Sequence, residues 1–270
     1  MNNKYNLHFV VTSYSALKLI KKTEAKNILI SYYYLRKDKK LYDAVLKERD
    51  LNIVIDSGLF SFASLLKHKV TDKDIKKYFN EYKAYIERNF DCEAISGFFE
   101  LDFDLIDKDY HNFVKPMQQQ LLDITDKIIL ICQKGRTTED IIEMCNQNIK
   151  CIAIPFASQV ERKYFDYNYI IDLAHEHNKR IHLLGCADQQ YLNNVEQSDS
   201  STWARASAFG EQNIMVGNEL KRFHWRDTDL INKDDNNQRS IDCVKEFIKL
   251  EKLINERKEK IDINKQMRLF

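Results

Sequence analysis

Three carboxylates stand in or at the ends of strand-like segments of this 270-residue chain: Asp56 at the end of 51–56, Asp102 in 95–104 and Asp199 in 197–201. A neutral amide, Gln133, closes a fourth run at 127–133. An acid at the carboxyl end of a buried strand, followed by Ser57-Gly58, sits where α/β folds collect their reactive groups. The plain alternative for Asp56 is a cap on the following turn. Carboxylates with an amide suit a reaction that passes through a cationic, sugar-like transition state. One carboxylate attacks or stabilises the anomeric carbon and another moves the proton of the leaving group. The amide reads the edge of a heterocycle, because it offers both a donor and an acceptor. Glu100, Asp102 and Asp104 alternate, so an extended strand would place all three on one side. Like charges that close suit capping, cation binding or catalysis. Asp104 and Asp107 read more simply as caps of the next helix.

The elements needed to position these groups alternate along the chain. Strand patterns occur at 7–12, 27–34, 51–56, 95–104, 127–133, 150–155, 180–185 and 197–201. Helical spacing marks 14–22, the turns around Tyr42 and Val45, 71–90, 138–145, 160–178 and 188–195, and a helix opens at Trp203. The clearest helix carries Ile75, Tyr78, Phe79, Tyr82, Tyr85 and Ile86 as one stripe, which reads as packing, with Thr71 and Asp74 as a capping box. Alternation of this kind predicts an α/β chain folded as a (β/α)8 TIM barrel, in which Asp56, Asp102, Gln133, the Pro155-Phe156 turn, Gly185 and Asp199 converge on one mouth. An open doubly wound sheet is the alternative, but no Gly-x-Gly-x-x-Gly or Walker loop follows any strand. The expected division is a catalytic barrel over 1–215 and a C-terminal helical extension over 216–270, with Ile241, Val244, Phe247, Ile248 and Ile254 turned toward the barrel exterior.

Net charge is +1, so no global field points to nucleic acid, and any such contact must be local. Arg205 and the basic-aromatic run holding Lys221, Arg222 and Arg226 are the candidates, with a salt bridge at the barrel rim as the plain reading of Arg205. The six cysteines form no Cys-x-x-Cys pair and read as reduced, buried thiols. No signal-peptide core and no membrane-spanning run is visible, so a cytoplasmic protein without a membrane partner is expected.

Several of these segments resemble the tRNA-guanine transglycosylases and their DNA-acting 7-deazaguanine relatives. Asp56-Ser-Gly-Leu-Phe60 is similar to that family's Asp-Ser-Gly-Gly-Phe/Tyr-Gln, and Gln133-Lys-Gly135 to its Gln-Gly strand end. The segment 152–157 falls where the family has Ala-Ile-Gly-Gly-Leu, and His182-Leu-Leu-Gly185 resembles its Tyr-Leu-Met-Gly. Asp199 occupies the place of its nucleophilic aspartate, and the likeness extends over roughly 56–210, each motif being weak alone. The resemblance implies base exchange in a nucleic acid. Asp199 would attack C1′ of a guanosine or deoxyguanosine to form a covalent glycosyl-enzyme, and a 7-deazaguanine base would replace the guanine. It further implies Asp56 as acid/base beside Ser57 and Gly58, Phe60 stacking on the heterocycle, and Asp102 and Gln133 on the base edge. Phe156, Ala157 and Gly185 would complete the pocket. No cofactor or metal is implied, the partners are DNA or tRNA and the free base, and a homodimer is suggested.

The sequence also departs from the family. Only Cys243 lies beyond Asp199, so the family's zinc site is absent, and Pro155-Phe156 replaces a Gly-Gly pair. A zinc-less member fits the DNA-modifying branch, often carried by phages, slightly better than the tRNA branch. Two other classes compete: a metal-dependent barrel hydrolase using Glu100, Asp102, Asp104 and His182, and a catalytically inactive nucleic-acid-binding relative.

Overall fold

A computed structural model of the chain describes residues 4–66, 69–103, 106, 108–134, 136–156 and 166–267, with the side chains of 262–267 left aside. Eight parallel strands close on themselves: β1 (Asn6–Val11), β2 (Asn27–Ser31), β3 (Asn52–Asp56), β4 (Ile95–Phe99), β5 (Ile128–Ile131), β6 (Cys151–Pro155), β7 (Arg180–Leu184) and β8 (Gln197–Ser200). The ring closes where β1 pairs with β8, in a register that sets His8 beside Asp199. Helical segments α1 (Tyr14–Ile20), α2 (Tyr32–Leu35), α3 (Lys39–Leu46), α4 (Leu59–Ser64), α5 (Asp72–Asn89), α6 (Lys115–Leu122), α7 (Thr138–Asn146), α8 (Tyr167–Glu176), α9 (Gln189–Leu192) and α10 (Thr202–Ala208) lie between and after the strands. The chain is therefore a (β/α)8 barrel of the TIM type, as its alternation predicts.

Period-two alternation splits the core in two. Residues such as Leu7, Phe9, Ile28 and Ile53 face the helices in one large cluster. Val10, Leu29, Val54, Phe99, Ile129, Ile131, Cys151, Ala153 and Leu184 form a smaller cluster inside the ring. The inward positions of β1, β7 and β8 are different in kind: His8, His182, Gln197 and Asp199 are all buried and polar.

Three expectations are corrected. The second strand stops at Ser31 instead of running to residue 34, and Tyr32 turns into α2. Its ring meets those of Tyr78, Tyr82 and Tyr85 at 5.9, 5.1 and 5.1 Å, so tertiary packing overrides the strand preference of a tyrosine run. The fourth strand ends at Phe99, so Glu100 and Asp102 do not share the face of an extended strand, and Asp104 and Asp107 lie outside the described residues. The third correction concerns the segment after α10, where β9 (Glu211–Val216) and β10 (Glu219–His224) form an antiparallel hairpin outside the barrel. Val216 pairs with Glu219, so the expected division at 215/216 falls inside this hairpin.

The last helix, α11 (Asn236–Met267), packs on β1, α1, α10 and the hairpin. Phe247 meets Phe9 edge-on at 6.4 Å, and Glu251 and Asn255 accept from the backbone amides of Leu7 and Tyr5. No helix among the described residues is long and apolar enough to cross a membrane, and all six cysteines are free thiols.

Candidate active site

Asp199 stands on the last barrel strand with its carboxylate pinned from two sides. Oδ2 accepts from the backbone amide of Gly185 at 3.0 Å and meets His182 Nε2 at 3.0 Å. Gly185 follows β7 with φ +70°, a conformation that favours glycine and turns its N–H toward the carboxylate. Among the described residues Oδ1 makes no hydrogen bond, which leaves one carboxylate oxygen for chemistry. His182 is fully buried, so it cannot meet a substrate itself. Its Nδ1 meets Gln197 Oε1 at 3.3 Å, and Phe99 and His8 pack on the ring at 5.0 and 5.4 Å. Of the two, Asp199 keeps an oxygen without a hydrogen bond among the described residues, and His182 lies buried against its other oxygen.

Asp56 ends β3 beside Ser31 of β2. Burial pushes its carboxyl up to about 6, the Gly58 amide opposes that shift, and the negative charge of Asp199 adds to it. The two carboxylates are thus near enough to feel each other, in unlike environments. Gly58 lies at φ +71°, and a Cβ there would come within 2.4 Å of Ser31 Oγ and 2.8 Å of the Tyr33 nitrogen. The loop is gripped from outside as well. Tyr78 Oη donates to the Ser57 carbonyl at 2.6 Å, and Tyr82 Oη to the Phe99 carbonyl at 2.8 Å. Ser31 Oγ lies against the Asp56 carboxyl, and the Ser57 hydroxyl is buried with no hydrogen-bond partner among the described residues.

The remaining candidates scatter more widely. Gln133 is buried, and its Nε2 donates to the Leu101 carbonyl at 2.9 Å, which ties the amide to the end of β4. Asp102 is half-buried just past β4. Phe60 lies in the first turn of α4 and is 56% exposed. The Phe156 side chain packs edge-on against Tyr167 and Tyr191 at 5.1 and 4.8 Å, on the helix side of the barrel, so only its backbone faces the strand ends. Ala157 lies outside the described residues. Arg205 and Arg222 are exposed and line a cleft of about 160 Å³ between α10 and the hairpin, with Glu211 3.6 Å from Arg222. Lys221 pairs with Glu219 at 3.2 Å, and Arg226 lies over Trp225 at 5.2 Å.

The acidic run also resolves into separate tasks. Glu100 accepts from the Ile131 amide at 2.6 Å and from Gln118 Nε2 at 2.9 Å, and pairs with the buried Arg136 at 3.2 Å. Arg136 in turn lies over the Tyr110 ring at 4.2 Å. With Glu100 held this way and His182 facing Asp199, no group of three His, Cys, Asp or Glu among the described residues could hold a metal ion.

The sequence singles out Asp56 and Asp199, but not the support beneath them. His8, Gln197 and Tyr78 were absent from the candidates, and His182 entered them only within the motif ending at Gly185 and as a possible metal ligand. A signal for His8 and His182 was present in the alternation of residues 6–10 and 180–184, where a polar residue occupies an inward position of a largely apolar strand.

No protein-family model matches the chain, and no curated protein matches it significantly. Among solved structures, it is similar to a putative fructose-1,6-biphosphate aldolase from Coccidioides immitis at 11% identity and TM-score 0.48, covering 96% of this chain and 90% of that one. The YdjI aldolase from Escherichia coli K12 is similar at 9% identity and TM-score 0.47, covering 96% and 91%. Tryptophan synthase from M. tuberculosis follows at 11% identity and TM-score 0.45, covering 77% and 87%. At these values the likenesses bring no activity to this chain, and the fold stands on its own strand topology.

Proposed function

We propose that the barrel mouth catalyses N-glycosyl transfer, exchanging a guanine of a nucleic acid for a 7-deazaguanine base, with DNA slightly favoured over tRNA. The supporting observation is the pair of carboxylates in unlike environments: Asp199 held by His182 and the Gly185 amide, Asp56 pushed up to about 6 by burial. Pairs whose surroundings separate their proton affinities divide into nucleophile and acid/base. The assignment of each role and of the nucleic-acid substrate rests on the sequence resemblance.

In the first half-reaction Asp199 Oδ1 bonds to C1′ as the C1′–N bond breaks, and the proton on Asp56 passes to the departing base. In the second half the incoming base gives its N–H proton to Asp56 and its nitrogen to C1′, which releases the Asp199 carboxylate. Phe60, exposed beside Gly58, is suited to stack on the base. The chain needs no cofactor for this sequence of steps.

The test is incubation of the protein with radiolabelled guanine and either DNA or tRNA. Label entering one polymer supports the reading and names the substrate. Absence of label from both, together with no covalent adduct to either polymer, overturns it.

A further inference from the structure

Among the basic residues that follow the last barrel strand, some are engaged by the fold and others are not. Lys221 pairs with Glu219 at 3.2 Å on its own strand, and Arg226 lies over the Trp225 ring at 5.2 Å. Arg205 makes no side-chain hydrogen bond or ion pair among the described residues. Arg222 reaches only Glu211, at 3.6 Å, beyond hydrogen-bond range. Both guanidiniums line the cleft of about 160 Å³ between α10 and the hairpin, together with Thr202, Phe209 and Glu211. Phe209 caps α10 and is 73% exposed, an apolar ring left in water beside the two cations.

Two contacts set this cleft beside the mouth. Trp203 Nε1 donates to the Val10 carbonyl at 3.1 Å, so α10 opens at the carboxyl ends of the strands, directly after β8. Arg205 follows Thr202 by less than one helical turn, about 5 Å along the axis. The hairpin returns to the same rim. With its amide oriented to satisfy both groups, Gln189 of α9 donates to the Asn218 carbonyl at 2.8 Å and accepts from the Leu220 amide at 2.9 Å.

We propose that the cleft holds a backbone phosphate of the nucleic-acid strand whose guanine enters the mouth, with Arg205 and Arg222 on its oxygens and Phe209 under a neighbouring base. The inference rests on the transglycosylase reading for the nucleotide in the mouth, and on the cleft itself for the phosphate. Guanidinium forks match phosphate oxygens, and an exposed ring gives any base a face to stack on. Two guanidiniums against the single carboxylate of Glu211 leave the cleft positive, in a chain whose net charge of +1 supplies no wider field. A base stacks on Phe209 only where it has left its neighbours in a duplex, so the strand is single or locally opened.

The test is fluorescence anisotropy of a labelled single-stranded oligonucleotide, DNA in one arm and RNA in the other, titrated with the full chain across about 50–200 mM salt. Arg205→Gln and Arg222→Gln should each weaken binding by about 5–10-fold and make the slope of log affinity against log salt shallower by about 0.7. Phe209→Ala should weaken binding at least about 5-fold with the slope kept, since stacking releases no counterion. Glu211→Gln should tighten binding, a gain that loss of folding cannot produce. Lys73→Gln, exposed on α5 across the ring from β8, is the control and should change neither quantity. The site is overturned if the parent binds neither oligonucleotide, if the Arg205→Gln/Arg222→Gln double variant keeps the parent slope, or if Lys73→Gln loses as much. Binding in the expected pattern without base exchange would support the cleft and sink the transglycosylase reading. Exchange with an unchanged KM in the double variant would keep that reading and overturn the cleft.

Discussion

At the scale of single residues, the mouth rests on an unequal pair of acids. Asp199 is expected to be indispensable. On the proposed mechanism, replacing it with Asn keeps the shape but removes the attacking carboxylate, so exchange should fall by at least about 10³-fold, with loss of any covalent adduct on a denaturing gel. Asp56 contributes a signature in stability as well as in rate. Its carboxyl lies at about 6 when folded, against an ordinary value of 3.8, so the folded state binds this proton more tightly than the unfolded one. The stabilisation it gives is complete below the unfolded value and is lost as pH rises through the folded one. Asp56→Asn should therefore gain stability relative to the parent between pH 4 and 6, by on the order of 2 kcal/mol at pH 7. Chemical denaturation at pH 4 and pH 7 checks this, and an equal difference at both would refute it. The rate of the same variant should fall, because an amide cannot shuttle the proton.

At the scale of elements, the site depends on how the end of β3 is held. Tyr78 reaches across from α5 to the Ser57 carbonyl, and its ring stacks on Phe62 at 4.3 Å with Arg36 4.8 Å from its centroid. Tyr78→Phe keeps the packing and deletes the hydroxyl. It should cost about 1–3 kcal/mol, since a buried carbonyl is left unpaired, and should lower kcat more than it raises KM. Unaltered kcat would show that the hydroxyl does not position Asp56. Gly58→Ala is the harsher change, because it adds a Cβ against Ser31 at a positive φ. The tyrosine stripe was legible as a helix face, from its spacing alone. Its hydroxyls were not, because periodicity reports which side is buried and not which carbonyl lies opposite. The same limit explains Glu100. Its alternation with Asp102 suggested a shared face, whereas the strand had already ended and Arg136, from the next strand-end loop, takes up the charge. His182 was likewise visible as a polar interruption in β7, and β8, which carries Gln197, as a strand polar throughout. Only the closing of the ring shows that they stack beneath Asp199 rather than facing the helices.

At the scale of the whole molecule, closure makes residues at opposite ends of the sequence neighbours, and the last helix seals the seam. Alternation predicted the barrel and the amphipathic pattern predicted the helix. The β9–β10 hairpin between them went unread because its strands are mixed in polarity, without the apolar runs that mark the barrel strands. Glu251 on α11 accepts from the Leu7 amide and from Asn27, joining the helix to the first two strands where the ring closes. Burial pushes its carboxyl up to about 7, with the Leu7 amide opposing the shift. The sign is that of Asp56: stability from this proton is full below the ordinary 4.5 and is lost as pH rises to about 7. Two partly buried acids shifted in one direction should make the whole fold more stable near pH 5 than at pH 8. Glu196 and Glu48 are shifted down despite the opposing effect of burial. His175 leads the lowering at Glu196 and Lys21 at Glu48, and the stability from these pairs is lost as pH falls below 4.5. A maximum near pH 5 follows, and thermal melts across pH 3–9 would trace it. Glu251→Gln keeps an acceptor oxygen for the Leu7 amide and removes the titration, so its melting temperature should exceed the parent's at pH 8 and approach it near pH 4. A parent curve that keeps rising from pH 5 to pH 8 would show that neither acid is held protonated by the fold.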